Sequence, residues 1–196
     1  MSKSEPPRDL LDVLLSLVRW FNHQKVSYTI IGGIAVGMVA QPRATQDIDA
    51  VVWMDLDEAD SFLNSAKEFG FEARTSDPIG FARKNRVLLL RHAGSGVGID
   101  LSFGVLPFER EMFDRALELS IGDTTLKVAA PEDLVILKAV AHRKRDLIDI
   151  DTLLLVHPDL DLARMRYWIR QFAEALDSPD ILSDFEKLLE NRGDTV

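Results

Sequence analysis

The sequence predicts an α/β (α+β) fold in which strands and helices interleave to about residue 128 and only helices follow. Three observations carry this. Short β-rich runs recur at 26–31, 47–53, 86–92 and 97–103, with amphipathic stretches among them. A glycine pair, Gly32-Gly33, closes the first run, where a turn into a helix is expected. Beyond Pro131 the apolar residues fall at helical spacing.

Taken in order, residues 1–7 are polar and contain Pro6-Pro7, the composition of a loose terminus. Arg8 to about His23 carries a helical stripe of Leu10, Leu11, Val13, Leu14, Leu15, Leu17, Val18 and Phe21. Val26 to Ile31 is the first strand, and Ile34 to Ala40 a short helix ended by Gln41-Pro42. Asp47 to Trp53 is the second strand. Leu56 to Phe69 is a helix stopped by Gly70, and Phe71 to Arg74 an edge strand. Arg86 to His92 and Val97 to Phe103 form a hairpin across Ala93-Gly94-Ser95-Gly96. Phe108 to Leu119 reads as one amphipathic helix, and Thr124 to Val128 as a strand after the turn Gly122-Asp123. Pro131-Glu132-Asp133 opens a helix to about Arg143: proline at the first position and acids in the first turn are start signals. Asp146–Val156, Leu162–Leu176 and Ile181–Leu189 complete a helical tail. The domain reading is a core over 1–128 and a helical subdomain over 129–196 packed on it.

With 46% apolar residues among 196, the chain can bury a sizeable core. Its formal net charge of −9 weighs against broad attraction to DNA, RNA or an anionic membrane. The absence of cysteine excludes disulfides, thiolate metal sites and a thiol nucleophile. No apolar run reaches the ~18 residues of a membrane span, and Asp9, Asp12 and Arg19 break the first apolar stretch. A cytoplasmic location is expected.

The stretch from Ile30 to Val52 holds the chemistry. Side chains alternate along a strand, so Asp47 and Asp49 point the same way. Two adjacent carboxylates repel unless a cation lies between them. Glycines at a helix start let backbone N–H groups approach a phosphate, and the helix N-terminus favours negative charge. Together these point to nucleotide chemistry with magnesium. Asp100, between Ile99 and Leu101, is an acid inside an apolar strand, costly unless paired or bound to a cation. It projects beside Asp47 and Asp49 if the strands are neighbours.

Gly32-Gly33, Asp47-Ile48-Asp49 and Ile99-Asp100-Leu101 resemble the pattern of the nucleotidyltransferase superfamily of polymerase-β type, with thirteen residues between Gly33 and Asp47. Pro42-Arg43-Ala44-Thr45, Pro131-Glu132-Asp133-Leu134, Lys138 and Arg145-Asp146 look like its small bacterial branch, which includes the AbiEii-type toxins of toxin–antitoxin systems. The resemblance covers about residues 26–155. It implies a small mixed-sheet nucleotidyltransferase fold with a helical C-terminal part. It implies two Mg2+ ions held by the catalytic Asp47, Asp49 and Asp100, and an NTP held by Gly32 and Gly33. The implied partners are the NTP, an acceptor RNA, protein or small molecule bearing a hydroxyl, and an antitoxin protein; the first reading is a toxin of a toxin–antitoxin system acting on RNA or protein, and transfer to a small molecule such as an aminoglycoside is the next. Lys138 matches a position at which related toxins carry a functional lysine.

Other readings stand beside these. Arg43 and Thr45 either contact phosphate or shape the loop. Lys138 either binds a ligand or snorkels beside Leu134 and Leu137. The run His142-Arg143-Lys144-Arg145 is either a solvated helix junction or a contact for triphosphate or RNA. Arg164, Arg166 and Arg170 with Tyr167 and Trp168 pose the same choice. Asp146, Asp149 and Asp151 read as helix-surface acids, with Asp146 also able to orient Lys138. A non-catalytic nucleotide-binding or partner-binding module on the same fold is the alternative function.

Overall fold

The computed structural model describes residues 8–193. Its described residues divide into two compact units, one of 8–38 with 42–129 and one of 39–41 with 130–193.

The first unit is built on a mixed seven-stranded sheet in the order β3-β4-β5-β2-β1-β7-β6. The strands are β1 (Ser27–Ile31), β2 (Asp47–Trp53), β3 (Phe71–Ala73), β4 (Val87–His92), β5 (Gly98–Phe103), β6 (Leu117–Ile121) and β7 (Thr124–Val128). β1 runs antiparallel to β2 and parallel to β7, while β2 runs parallel to β5. The remaining pairs, β3–β4, β4–β5 and β6–β7, are antiparallel.

One face of the sheet is apolar. Ile30, Ile48, Ala50, Val52, Leu88, Leu90, Ile99 and Leu101 alternate onto it and are fully or almost fully buried. Helix α1 (Arg8–Gln24) contributes Trp20 and Phe21 to this core; Trp20 stacks on Phe62 of helix α3 (Ala59–Ala66) and meets Phe71, and Phe21 meets Tyr28. Burying a large apolar side chain stabilises by about 1.5–3 kcal/mol, so this cluster anchors the unit. The odd members of β2 and the even members of β5 carry Asp47, Asp49 and Asp100 on the opposite face.

Helix α2 begins at the glycine pair and spans Gly32–Val39. The segment expected as one helix over 56–69 is α3 flanked by 3₁₀ turns at Leu56–Glu58 and Lys67–Phe69, and Gly70, at φ 83°, ends it. Two expectations fail. Helix α4 (Pro78–Asn85) was not anticipated, although Asp77 caps it by accepting from the Gly80 N–H at 2.9 Å and Pro78 opens it. The helix expected over 108–119 is shorter: α5 (Pro107–Arg115) stops, and Leu117–Ile121 is β6, hairpinned to β7 through Gly122 at φ 56°. Pairing of Leu119 with buried Leu126 outweighs a helical pattern of low apolar content.

The second unit contains helices α6 (Pro131–Ala141), α7 (Lys144–Val156), α8 (Leu162–Ala175) and α9 (Asp180–Gly193). Its interior holds Leu134, Ile136, Ile150, Leu153, Met165, Ile169 and Phe185. The expectation for residues 1–7 lies outside the described residues.

Candidate active site

β1 ends at the glycines and β2 returns beside it, so Ile31 faces Asp49 across the antiparallel ladder. β5 lies on the other side of β2, in register. Asp49 stands opposite Asp100, and Asp47 opposite Gly98. The three acids thus share one sheet face at the turn end of β1.

Two close approaches tie the turn and the loop to this face. Gly32 has φ 70°, and a side chain there would overlap the Asp49 carboxylate. At Gly33 a Cβ would lie 2.5 Å from Arg43 Nη2 and 3.0 Å from Thr45 Oγ1, so the loop after α2 folds back over the glycine backbone. Thr45 Oγ1 also donates to the Asp47 carbonyl at 3.3 Å. Gly32, Gly33, Arg43, Thr45, Asp47, Asp49 and Asp100 are therefore neighbours, by way of one strand register and one returning loop.

Sequence reasoning missed Arg74. Its N–H continues the β3–β4 ladder by donating to the Leu89 carbonyl at 2.9 Å, and Leu89 pairs with Asp100. Arg74, one residue past β3, lines up with Leu89, Asp100 and Asp49 across β4, β5 and β2. From there the Arg74 guanidinium donates to Asp100 Oδ1 in an ion pair, with side chains 34% and 42% exposed. Gly98 leaves room beside it: a Cβ there would meet Asp47, with Arg74 Nη1 3.4 Å away. The readable signal was the alternation of Glu72 and Arg74 in an edge strand, which sends both to one face.

The donor chemistry of Asp47, Asp49 and Asp100 is that of a hard-cation site, carboxylate oxygens only. Among the described residues no three His, Cys, Asp or Glu side chains are gathered closely enough to hold an ion. The third carboxylate is turned to Arg74 instead. The three acids match a divalent cation in donor type and share one face by register, but they are not gathered around one point, and Asp100 is engaged by the Arg74 guanidinium.

A cleft of about 360 Å³ lined by Arg19, Tyr28, Glu118, Asp123 and Lys127 opens at the other end of β1 and contains none of the motif residues. Burial pushes the Tyr28 hydroxyl above its ordinary pKa there.

Lys138 belongs to the helical unit, where its ammonium lies 2.8 Å from Asp146 Oδ1 and 3.0 Å from Asp149 Oδ2. Both acids are buried, at 4% and 3% exposure, which corrects their reading as surface acids; Asp151 is exposed. Asp146 Oδ2 also accepts from the Arg143 N–H at 3.3 Å, at the start of α7. Arg164 forms a second buried pair with Asp133 at 2.6 Å, and Arg166 grips Glu186 through two guanidinium nitrogens. Tyr167 is 55% exposed. Arg143 and Arg145 are exposed at the α6–α7 junction.

Comparison with known proteins agrees with this architecture. A search of curated protein sequences finds no match. Among solved structures, the chain is similar to an antigenic nucleotidyltransferase-like protein from Paracoccidioides brasiliensis, at 20% identity and TM-score 0.56, covering 91% of this chain and 94% of that one. It is similar to the lincosamide antibiotic adenylyltransferase LnuA, at 16% identity and TM-score 0.54, covering 78% and 99%. It is also similar to the antibiotic-resistance factor ANT(2'')-Ia, at 11% identity and TM-score 0.59, covering 88% and 96%. These likenesses establish the nucleotidyltransferase fold. The model of the family described as "Nucleotidyl transferase of unknown function (DUF2204)" matches residues 10–187, nearly the whole described chain, and the protein belongs to that family.

Proposed function

We propose that the protein is a magnesium-dependent nucleotidyltransferase that moves a nucleoside monophosphate from an NTP to a hydroxyl. The observation that carries this reading is the β2–β5 register, with Asp49 opposite Asp100 and Asp47 two residues away on the same face. Held by Asp47, Asp49 and Asp100, two Mg2+ ions would supply Lewis-acid stabilisation of an in-line displacement at the α-phosphorus. The Gly32-Gly33 backbone binds the β and γ phosphates at the α2 N-terminus. Arg43 and Thr45, lying against Gly33, add a guanidinium and a hydroxyl to that cradle. Asp100 takes the proton of the attacking hydroxyl as the O–P bond forms. Pyrophosphate leaves.

For the acceptor we favour a small molecule over RNA. A net charge of −9 works against a polyanionic acceptor. Similar folds include an adenylyltransferase of a lincosamide antibiotic, solved with lincomycin bound, and ANT(2'')-Ia, solved with adenylyl-2''-tobramycin. The Lys138 group acts in this reading as a rigid brace of the helical unit. The test is to incubate the protein with each α-labelled NTP and Mg2+ against separate pools of cell RNA, cell protein and small hydroxylated metabolites. Label in the small-molecule pool is expected. Label on RNA or protein would redirect the acceptor toward the toxin reading, and no label in any pool with intact NTP would contradict transfer.

A further inference from the structure

We infer that Arg74 is an internal counter-ion that competes with the divalent cation for Asp100, so that cation binding requires the guanidinium to release that carboxylate. This rests on the metal reading above and goes beyond it by assigning a residue outside the motif. Three acids on one face repel one another and need positive charge in any state. The chain provides it from the edge of the sheet: the ladder bond to Leu89 fixes the Arg74 backbone in the same cross-strand row as Asp100 and Asp49. The absence of a side chain at Gly98 leaves the space between the Asp47 carboxylate and the Arg74 guanidinium open, and the guanidinium reaches Asp100 past it. The pair is about one-third to two-fifths exposed, the setting in which an ion pair contributes little and exchanges.

The consequence is a site that binds a bare cation weakly. Entry of the cation costs the Arg74–Asp100 pair. Removing the guanidinium therefore tightens cation binding, whereas a brace with no such competition would leave it unchanged or loosen it. Arg91 supplies the control. It sits on the same face opposite Gly98, but its guanidinium is 2.7 Å from Glu72 rather than on Asp100.

The experiment measures Mn2+ binding without nucleotide, by the paramagnetic resonance of the free ion, to the wild type, Arg74→Gln, Arg74→Lys and Arg91→Gln. Thermal melting establishes that each is folded. Loss of an exposed pair translates into about threefold to fivefold tighter Mn2+ binding by Arg74→Gln. Arg74→Lys, which keeps the charge but loses the planar fork, should tighten it by less and serves if Arg74→Gln does not fold. Arg91→Gln should match the wild type. Equal affinity in wild type and both Arg74 variants would overturn the role of Arg74 and leave the cation site standing. Equal tightening by Arg91→Gln would reduce the effect to net charge and also overturn it. No Mn2+ bound by any form would overturn the metal reading itself, and this inference with it.

Discussion

Asp49 and Asp100 stand opposite each other on neighbouring parallel strands, although about fifty residues of chain lie between them. Parallel neighbours need a long crossover, and here it carries α3, β3, α4 and β4 before β5 returns beside β2. The site thus depends on a register, and a slip of one residue would turn Asp100 into the apolar core. Asp100→Asn keeps the shape and removes the charge. It is expected to preserve the melting temperature within a few degrees and to reduce nucleotidyl transfer by about a hundredfold or more, as loss of a group acting at the reacting atoms does. Paired melting and label-transfer assays check both halves.

Gly32 is where the turn is least tolerant. An alanine would adopt φ 70° against the left-handed penalty and push into the Asp49 carboxylate. Gly32→Ala should lower stability by about 1–2 kcal/mol in denaturant titration, and impair transfer more than stability alone explains. Normal transfer in this variant would show that the turn has slack.

The buried charges of the helical unit make a separate prediction. Lys138→Met leaves buried Asp146 and Asp149 without the cation they share. Breaking a buried pair from one side costs about 3–5 kcal/mol, and chemical denaturation should register a loss of that order. A loss below about 1 kcal/mol would mean the carboxylates are hydrated there. In Lys138→Met/Asp146→Asn/Asp149→Asn most of the loss should be recovered, since no charge is then left alone.

Much of this was readable from the chain. β2 begins and ends where its alternation says, at Asp47 and Trp53, because a half-buried strand exposes its period directly. The acids of β2 and β5 were readable as one-sided for the same reason. The neighbour relation of those strands was not, since it is set by a crossover of about fifty residues. Leu117–Ile121 was misread because a short exposed strand has little apolar signal, and its pairing with β7 decides its state. The pairing of Asp146 with Lys138 was readable, but the burial of Asp146 and the second contact to Asp149 were not, because Lys138 lies on a different helix. Arg74 escaped notice for a similar reason: nothing local links an edge-strand arginine to an acid 26 residues later.

A pH prediction concerns Asp184. Hydrogen bonds from Lys187 at 2.7 Å and His142 at 3.0 Å hold its carboxyl below the ordinary aspartate value. A folded pKa below the unfolded one adds stability above the unfolded value, about 3.9, and loses it as pH falls through the folded value. Asp184→Asn should therefore narrow its stability gap to the wild type on acidification from pH 7 to below pH 3, as followed by melting across that range.

Whether the acid face holds a metal-bound nucleotide is decided by calorimetric titration of a non-hydrolysable NTP into the wild type and into Asp47→Ala/Asp49→Ala, each with and without Mg2+. The wild type should bind only with Mg2+ and the double variant should not bind, with both proteins melting alike. Failure of the wild type to bind, or equal Mg2+-dependent binding by the double variant, would contradict a metal-bound nucleotide on that face.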